Sequence, residues 1–418
     1  MLNDCFIGLR GVTWLCLLTA MTACARMSPS TAVAPLGGEV QIRANETQLI
    51  KLKPGVSPRA VADGLGVRYL GQLGLGVHRF GVGQTRVAGS VRGAVWAEPE
   101  RGIDLERPKG LDVRAGVMRR TNEAVMPNDP LWPVQHGWRL CGLGGVWRTV
   151  RGMPETVVAV IDSGIDGNHP DLAGQVLPGW DLTVPNGAPG GHEDPYGHGT
   201  HVAGIIAAQA DNGVGIAGLA PGVKLLPVRI FNRFGHSTSG ASMAAIVWAV
   251  DHGARVINAS WGSTLESQAM RDALRYAAQK NVLVVAAVGN SGKNIPSYPG
   301  ADVDALGVAA STDRDGWATF SSFGEWVDLA APGEGIVSTY PIALGTGYRV
   351  MSGTSMATPF VSAAAALLSS AHPDWTAQRL RETLIATADD IVQTGVDPYA
   401  GHGRINLTRA LAAELKTR

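Results

Sequence analysis

The sequence predicts an α/β fold: a three-layer sandwich with a mostly parallel central sheet, preceded by a small α+β domain. Three observations carry this. From Asn128 onward, buried-strand runs alternate with segments of helical length, as in consecutive βαβ units. The run "TVVAVID" (156–162) is rich in β-branched residues and apolar through its middle, as a parallel strand covered on both faces is. The chain has 418 residues, enough for one large domain and a smaller one.

The elements follow in order. Residues 46–110 form the small domain: "QLIKLKPG" is a strand closed by Pro-Gly, and "SPRAVADGLGV" a short helix with Ser57 as N-cap and Pro58 behind it. "GVHRFGV" and "VRGAVWAEPE" follow as strands or helix ends. The segment from Arg107 to Asn128 is charged and poor in apolar residues, so 111–127 is expected to be an exposed, cleavable connector. The large domain, 128–418, then runs strand 156–162, helix 198–210, strand 223–231, helix 240–253, strand "ARVINASWG", helix "ESQAMRDALRYAAQK" and strand "NVLVVAAVGN".

Composition narrows the function. The chain is 45% hydrophobic and 17% charged, which suits a packed core. Lys+Arg and Asp+Glu are both 35, so neither nucleic acid nor an anionic membrane surface is expected as the main partner. The 54 glycines imply many tight turns.

The N-terminus has the pattern of an export signal over residues 1–24. One basic residue, Arg10, precedes an apolar run too short to span a bilayer comfortably. "MTAC" resembles a bacterial lipobox and would make Cys24 a lipidated first residue. "ACA" (23–25) fits small-x-small cleavage and free secretion, and an uncut anchor is the third reading. The protein is therefore expected to be exported, either secreted or anchored to the cell envelope through Cys24. Residues 25–45 are small, polar and Pro-containing, as a linker is. Of four cysteines, Cys5, Cys16 and Cys24 belong to the signal. No disulfide framework is expected, and Cys141 is expected to be a small buried apolar residue.

Four polar residues sit at strand ends or helix starts, where such a sheet gathers its site. Asp162 closes the first buried strand, His198 opens a helix in "YGHGTHVAG", Asn290 follows "AAVGN", and Ser355 opens the last long helix in "GTSMATP". A serine hydroxyl is a weak nucleophile and needs a base within hydrogen-bond reach. Histidine can take that proton and return it to a leaving amine. A buried aspartate fixes the histidine tautomer and stabilises the imidazolium. A tetrahedral intermediate needs donors for its oxyanion, which the Asn290 side chain and the Ser355 backbone N–H can supply. His201 is expected to be a packed structural histidine.

"VIDSGID", "HGTHVAG" and "GTSMATP", in that order, resemble the Asp, His and Ser motifs of the subtilisin-like serine proteases, and "NDPLWPVQHG" and "GHGRINLTRAL" are similar to the thermitase branch. The resemblance runs from about Asn128 to Leu411. It implies an endopeptidase acting on polypeptides, with Ser355, His198 and Asp162 as triad and Asn290 at the oxyanion. It further implies a substrate cleft walled by Ser260, Trp261 and Gly262 on one side and Ala287 to Gly289 on the other, with Ser297 near the floor. Gly235, His236 and Ser237 match the edge strand that pairs with an extended peptide. Medium or large apolar side chains are expected next to the cut, and Trp261 is expected to narrow an outer subsite.

The same resemblance implies a structural calcium ion. "QADNGVGI" is similar to the family's calcium loop, which would draw on Asp129, Asp171, Asn212 and the carbonyls of Gln209, Val214 and Ile216. A second site of the thermitase branch keeps Asp181 but few other carboxylates. "QLIKLKPG" and "VWAEPERG" resemble the family's inhibitory prodomain, which would cover the cleft and be cut off between about Leu105 and Asn128. The rival expectation is a non-catalytic binding protein of the same fold that keeps its prodomain. A processing enzyme with a single protein target is a third.

Overall fold

The computed structural model describes residues 41–42, 46–83, 87–88, 91, 93–106, 110–113 and 127–413. The expected signal and nearly all of the expected linker, with Cys5, Cys16 and Cys24, lie outside them. The described elements belong to one compact unit.

The first domain pairs four antiparallel strands, β1 (Thr47–Leu52), β2 (Arg68–Gly74), β3 (Val77–Gly81) and β4 (Ala94–Pro99), in the order β2-β3-β1-β4. One helix, α1 (Pro58–Leu65), crosses the sheet. Ser57 accepts the Ala60 N–H at its start, and Gly66 ends it with φ 65°, a conformation an L side chain resists. The α1 side buries Ile50, Leu52, Ala62 and Phe80 into a core of its own. Both segments left open between strand and helix end are strands, because each finds a partner on β1.

Two short strands follow, β5 (Gly102–Asp104) and β6 (Gly110–Asp112). Neither pairs within the first domain. Gly110–Asp112 falls at the start of the expected connector. It is exposed, with Leu111 79% accessible, yet its backbone is bonded to the large domain.

The large domain is built on an eight-stranded sheet. Its strands are β7 (Val157–Asp162), β8 (Gly179–Asp181), β9 (Ala188–Gly190), β10 (Lys224–Arg229), β12 (Val256–Ala259), β13 (Leu283–Ala287), β14 (Ala305–Ser311) and β15 (Leu329–Pro332), with a separate edge strand β11 (His236–Thr238). The order is β9-β8-β10-β7-β12-β13-β14-β15, parallel except for the β8–β9 pair. Alternation along β7 explains the layers. Val158 and Val160 enter the core shared with helices α2 (His198–Ala207) and α5 (Thr354–Ala371), while Ala159 and Ile161 enter the core shared with α3 (Ser239–Asp251) and α4 (Gln268–Gln279). A strand covered on both faces has no polar side, which is why residues 157–161 are all apolar and the first polar residue of β7 is Asp162.

A further antiparallel ladder joins β16 (Ile336–Thr339), β17 (Tyr348–Met351) and β6. Helices α6 (Ala377–Ala386) and α7 (Leu407–Ala412) close the domain. Cys141 is buried and unpaired, and burial pushes its thiol far above the ordinary value, so it behaves as an apolar side chain.

Candidate active site

The site lies at the carboxyl edge of the parallel sheet. Asp162 is the last residue of β7 and fully buried. One of its oxygens accepts the Ser163 N–H at 2.7 Å, and its carboxylate faces His198 Nδ1 at 2.9 and 3.0 Å. That contact assigns the Nδ1 proton and leaves Nε2 unprotonated. Burial works against a charged His198. The carboxylates of Asp162, Asp194 and Glu106 outweigh it, and the imidazole titrates above its ordinary value.

Asp194 was not singled out by the sequence reading. It stands four residues before His198, and it accepts the N–H groups of Tyr196, Gly197 and Thr200 and the Thr200 hydroxyl. It thereby caps the helix that carries His198, whose own N-cap, Gly197, has no side chain to offer. An aspartate just ahead of a helix start was the available signal. His201 points the other way: its Nε2 meets the Arg349 carbonyl at 3.0 Å, and burial pushes it down to about 3, so it is a neutral structural group.

Ser355 is the second residue of α5. Four residues on, Pro359 has no N–H to give, so the Ser355 carbonyl is free of the usual helical donor. It accepts the Ser260 hydroxyl instead, at 3.0 Å. The Ser260 hydroxyl in turn accepts from Asn258. The motif "GTSMATP" thus ties the start of α5 to the residue after β12. The Ser355 hydroxyl donates to the Ser260 carbonyl at 2.8 Å, so its proton is engaged there and not with His198 Nε2.

Asn290 follows β13. Its side-chain oxygen accepts the Thr354 N–H at 2.8 Å and the Thr354 hydroxyl at 2.9 Å, which turns the amide nitrogen into the cleft. A methyl group on Gly353 would lie 3.6 Å from both Asn290 Nδ2 and Ser355 N, so the two nitrogens flank the same small space beside Gly353. Thr354 is a second residue the sequence reading missed.

These residues border a cavity of about 220 Å³, with Ser260, Gly262, Ala287, Gly289 and Ser297 in its wall. Gly262 lets the Ser297 hydroxyl approach closely there, because a Cβ would fall 2.1 Å from its Oγ in this rotamer. Trp261 also borders it. Its indole is buried against Phe231 and donates to the Ile161 carbonyl at 2.8 Å.

The first domain reaches into this cleft. Strand β5 adds to β11 in antiparallel register, with Asp104 opposite His236 and Ile103 opposite Ser237. Leu105 N then donates to the Gly235 carbonyl at 2.8 Å, and the Glu106 carboxylate accepts from Asn290 Nδ2 at 3.2 Å. Beyond the site, Gly110 pairs with Met351, four residues before Ser355. Glu106 thus lines the same cavity as Ser355, beside Asn290, and Gly110–Asp112 pairs with the strand that precedes α5. Among the described residues that line the cavity there is neither Lys nor Arg.

The candidate calcium residues also gather. Asp129 and Asp171 are buried with no cationic partner among the described residues; burial raises both, with the Asp211 carboxylate adding to Asp129 and that of Asp129 adding to Asp171. Burial and Asp129 push Asp171 up to about 6, against hydrogen bonds from Ile216 N, Asn212 and Tyr348. Asp129 accepts from the N–H groups of Asp211 and Asn212. Among the described residues no backbone N–H donates to the carbonyls of Gln209, Val214 or Ile216. Two buried carboxylates without a cationic partner, beside carbonyls that no backbone N–H engages, fit a hard, oxygen-seeking cation. Asp181 does not extend this pattern, since it pairs with Arg229 and Thr183.

A buried aspartate–histidine pair and a serine at a helix start, on the carboxyl edge of a parallel sheet, define a serine hydrolase. The Subtilase family model matches residues 154–403. Thermitase from Thermoactinomyces vulgaris is 40% identical over 286 residues, 68% of this chain and 99% of that one. The thermophilic serine proteinase of Bacillus sp. (strain AK1) is 40% identical over 69% of this chain and 70% of its own. The crystal structure of fervidolysin from Fervidobacterium pennivorans, described as a keratinolytic enzyme related to subtilisin, superposes with a TM-score of 0.76 at 27% identity. It covers 90% of this chain and 61% of that one. The chain belongs to the subtilase family of serine peptidases.

Proposed function

We propose that this protein is an exported serine endopeptidase made as a self-processing precursor, and that it cuts its own chain after Glu106. The observation that carries this is the strand addition of Gly102–Asp104 to His236–Thr238, which delivers Glu106 to Asn290. Residues 46–106 act as the inhibitory prodomain. Glu98 supports that role by accepting from Ser267 Oγ, Gln268 N and Ala269 N at the start of α4, a helix of the large domain. Glu100 does the same for Thr238 at the start of α3.

The chemistry follows from the contacts. Ser355 Oγ attacks the carbonyl carbon of Glu106 while His198 Nε2 takes its proton. Asp162 holds the imidazolium that results. Asn290 Nδ2 and Ser355 N receive the oxyanion. His198 passes the proton to the amine nitrogen of Arg107, the C–N bond breaks, and an ester joins Ser355 to the new carboxyl end. Water, deprotonated by His198, then releases it. Other polypeptides follow the same course once the prodomain has left.

Asp129, Asp171, Asn212 and the carbonyls of Gln209, Val214 and Ile216 would hold a calcium ion, which would neutralise the two carboxylates and brace the loop after α2. Export rests on residues 1–24, with release after the signal or lipid attachment at Cys24. Among the described residues no helix is long and apolar enough to cross a membrane.

The test is intact mass over time for residues 25–418 beside Ser355→Ala, with calcium present. The wild type is expected to separate into fragments ending at Glu106 and starting at Arg107, and the mutant to stay whole. A wild type that stays whole, or a mutant cut at the same bond, overturns the reading.

A further inference from the structure

We propose that His236 makes the third subsite of the cleft selective for a carboxylate, so that the enzyme prefers Asp or Glu three residues before the cut. The inference rests on the reading that β5 lies where a substrate lies.

In an antiparallel pair, residues directly opposite project to the same side. His236 and Asp104 are such a pair, and His236 Nδ1 meets Asp104 Oδ1 at 2.6 Å. Their neighbours are sorted differently. Ile103 and Leu105 are 4% and 8% exposed and pack into the large domain's core. Asp104 and His236 keep 76% and 62% of their side chains accessible. Backbone pairing fixes the strand, the apolar positions anchor it, and Asp104 has His236 as its contact. Any peptide in this register presents its third residue before the cut to the same imidazole.

The surroundings leave His236 free for this role. Its backbone N–H is held by the Asn232 side chain, so the strand is shaped without the imidazole. The other charged group of this turn is Arg233, which lies over the Phe234 ring. Glu100 is engaged by Arg79 and Thr238 at the far end of the ladder, and Arg101 bonds through its backbone to Ser239. Asp104 is thus the carboxylate that meets His236. A protonated imidazole donates a hydrogen bond between two charges to a carboxylate and only a weaker one to the neutral oxygen of an amide of the same shape. Because the pair is exposed, the preference is a few-fold.

The experiment compares two fluorogenic peptides, Gly-Ile-Asp-Leu-Glu and Gly-Ile-Asn-Leu-Glu, on the full chain after self-processing, at pH 6 and pH 8. The expected ratio of kcat/KM, Asp over Asn, is about three- to five-fold at pH 6. His236→Gln brings the ratio to one at both pH values, whatever its absolute rates. His236→Lys keeps the ratio at pH 8. Equal cleavage of both peptides by the wild type, or a ratio that His236→Gln leaves intact, overturns the inference alone. Cleavage of neither peptide overturns the register reading and the inference with it.

Discussion

The Asn290 side-chain amide donates to the Glu106 carboxylate across 3.2 Å, joining residues 184 positions apart. Thr354 orients that amide, and in the proposed mechanism the same nitrogen receives the oxyanion of the peptide. Replacing Asn290 with Leu is expected to lower kcat by about 10²–10³-fold, the loss known for a subtilisin side-chain donor of this kind, with little change in KM. Self-cleavage should slow in step. Steady-state kinetics on one peptide decides it, and a variant that changes KM alone would place Asn290 in binding rather than in transition-state stabilisation.

The titration of His198 offers a second check. Its raised value comes from facing carboxylates, one of which is Glu106. A carboxylate favours the imidazolium, so Glu106→Gln in the Ser355→Ala precursor should lower the His198 pKa. NMR titration of the imidazole reads this directly. The stability sign follows: a raised folded value contributes stability that is full below the unfolded value and is lost as pH rises through the folded one. An unmoved titration would remove Glu106 from the site.

Glu98 accepts three bonds at the start of α4. Hydrogen bonds to a charged group contribute on the order of 1.5–3 kcal/mol. Glu98→Ala in the separated first domain should therefore weaken its inhibition in trans by about 10- to 100-fold. Unchanged inhibition would mean that binding is carried by β5 and the apolar contacts alone.

Arg349 holds Asp112 through Nε at 2.9 Å and Nη2 at 2.8 Å, while Val113 N donates to the Tyr348 carbonyl. This contact lies beyond the proposed cut and persists after it. Full activity should lag the loss of intact chain, and Asp112→Asn should shorten the lag by about two- to five-fold, as befits an exposed pair. Following mass and peptide hydrolysis on the same sample tests it; coincident curves in both proteins would rule out the latch.

Calcium chelation should lower Tm, and restoring the ion should recover it. At about 1,000-fold over the dissociation constant, the ion adds about 4 kcal/mol to the folded state. Asp171→Asn in the Ser355→Ala background should abolish the response. A Tm indifferent to chelator in the parent would exclude the site.

Much of this was legible from residues alone. Asp162, His198, Asn290 and Ser355 each end or begin an element whose local pattern is strong, so chain order sufficed to place them on one edge of a sheet. The strands at Ala305–Ser311 and Leu329–Pro332 were not singled out. They are rich in Ala and short, and burial between neighbouring strands and helices makes them β rather than any intrinsic preference. The β8–β9 hairpin exists because β10 offers an edge.

By itself the sequence determined the alternating βαβ order, the caps and turns, and the chemistry each candidate residue could perform. These depend on neighbours within a few positions. Tertiary structure alone decided that Glu106 meets Asn290, that Glu98 caps a helix of the other domain, and that Asp104 faces His236. Each of these joins partners more than a hundred residues apart. No local periodicity encodes such a contact, because it forms only when two separately folded surfaces are brought into one register.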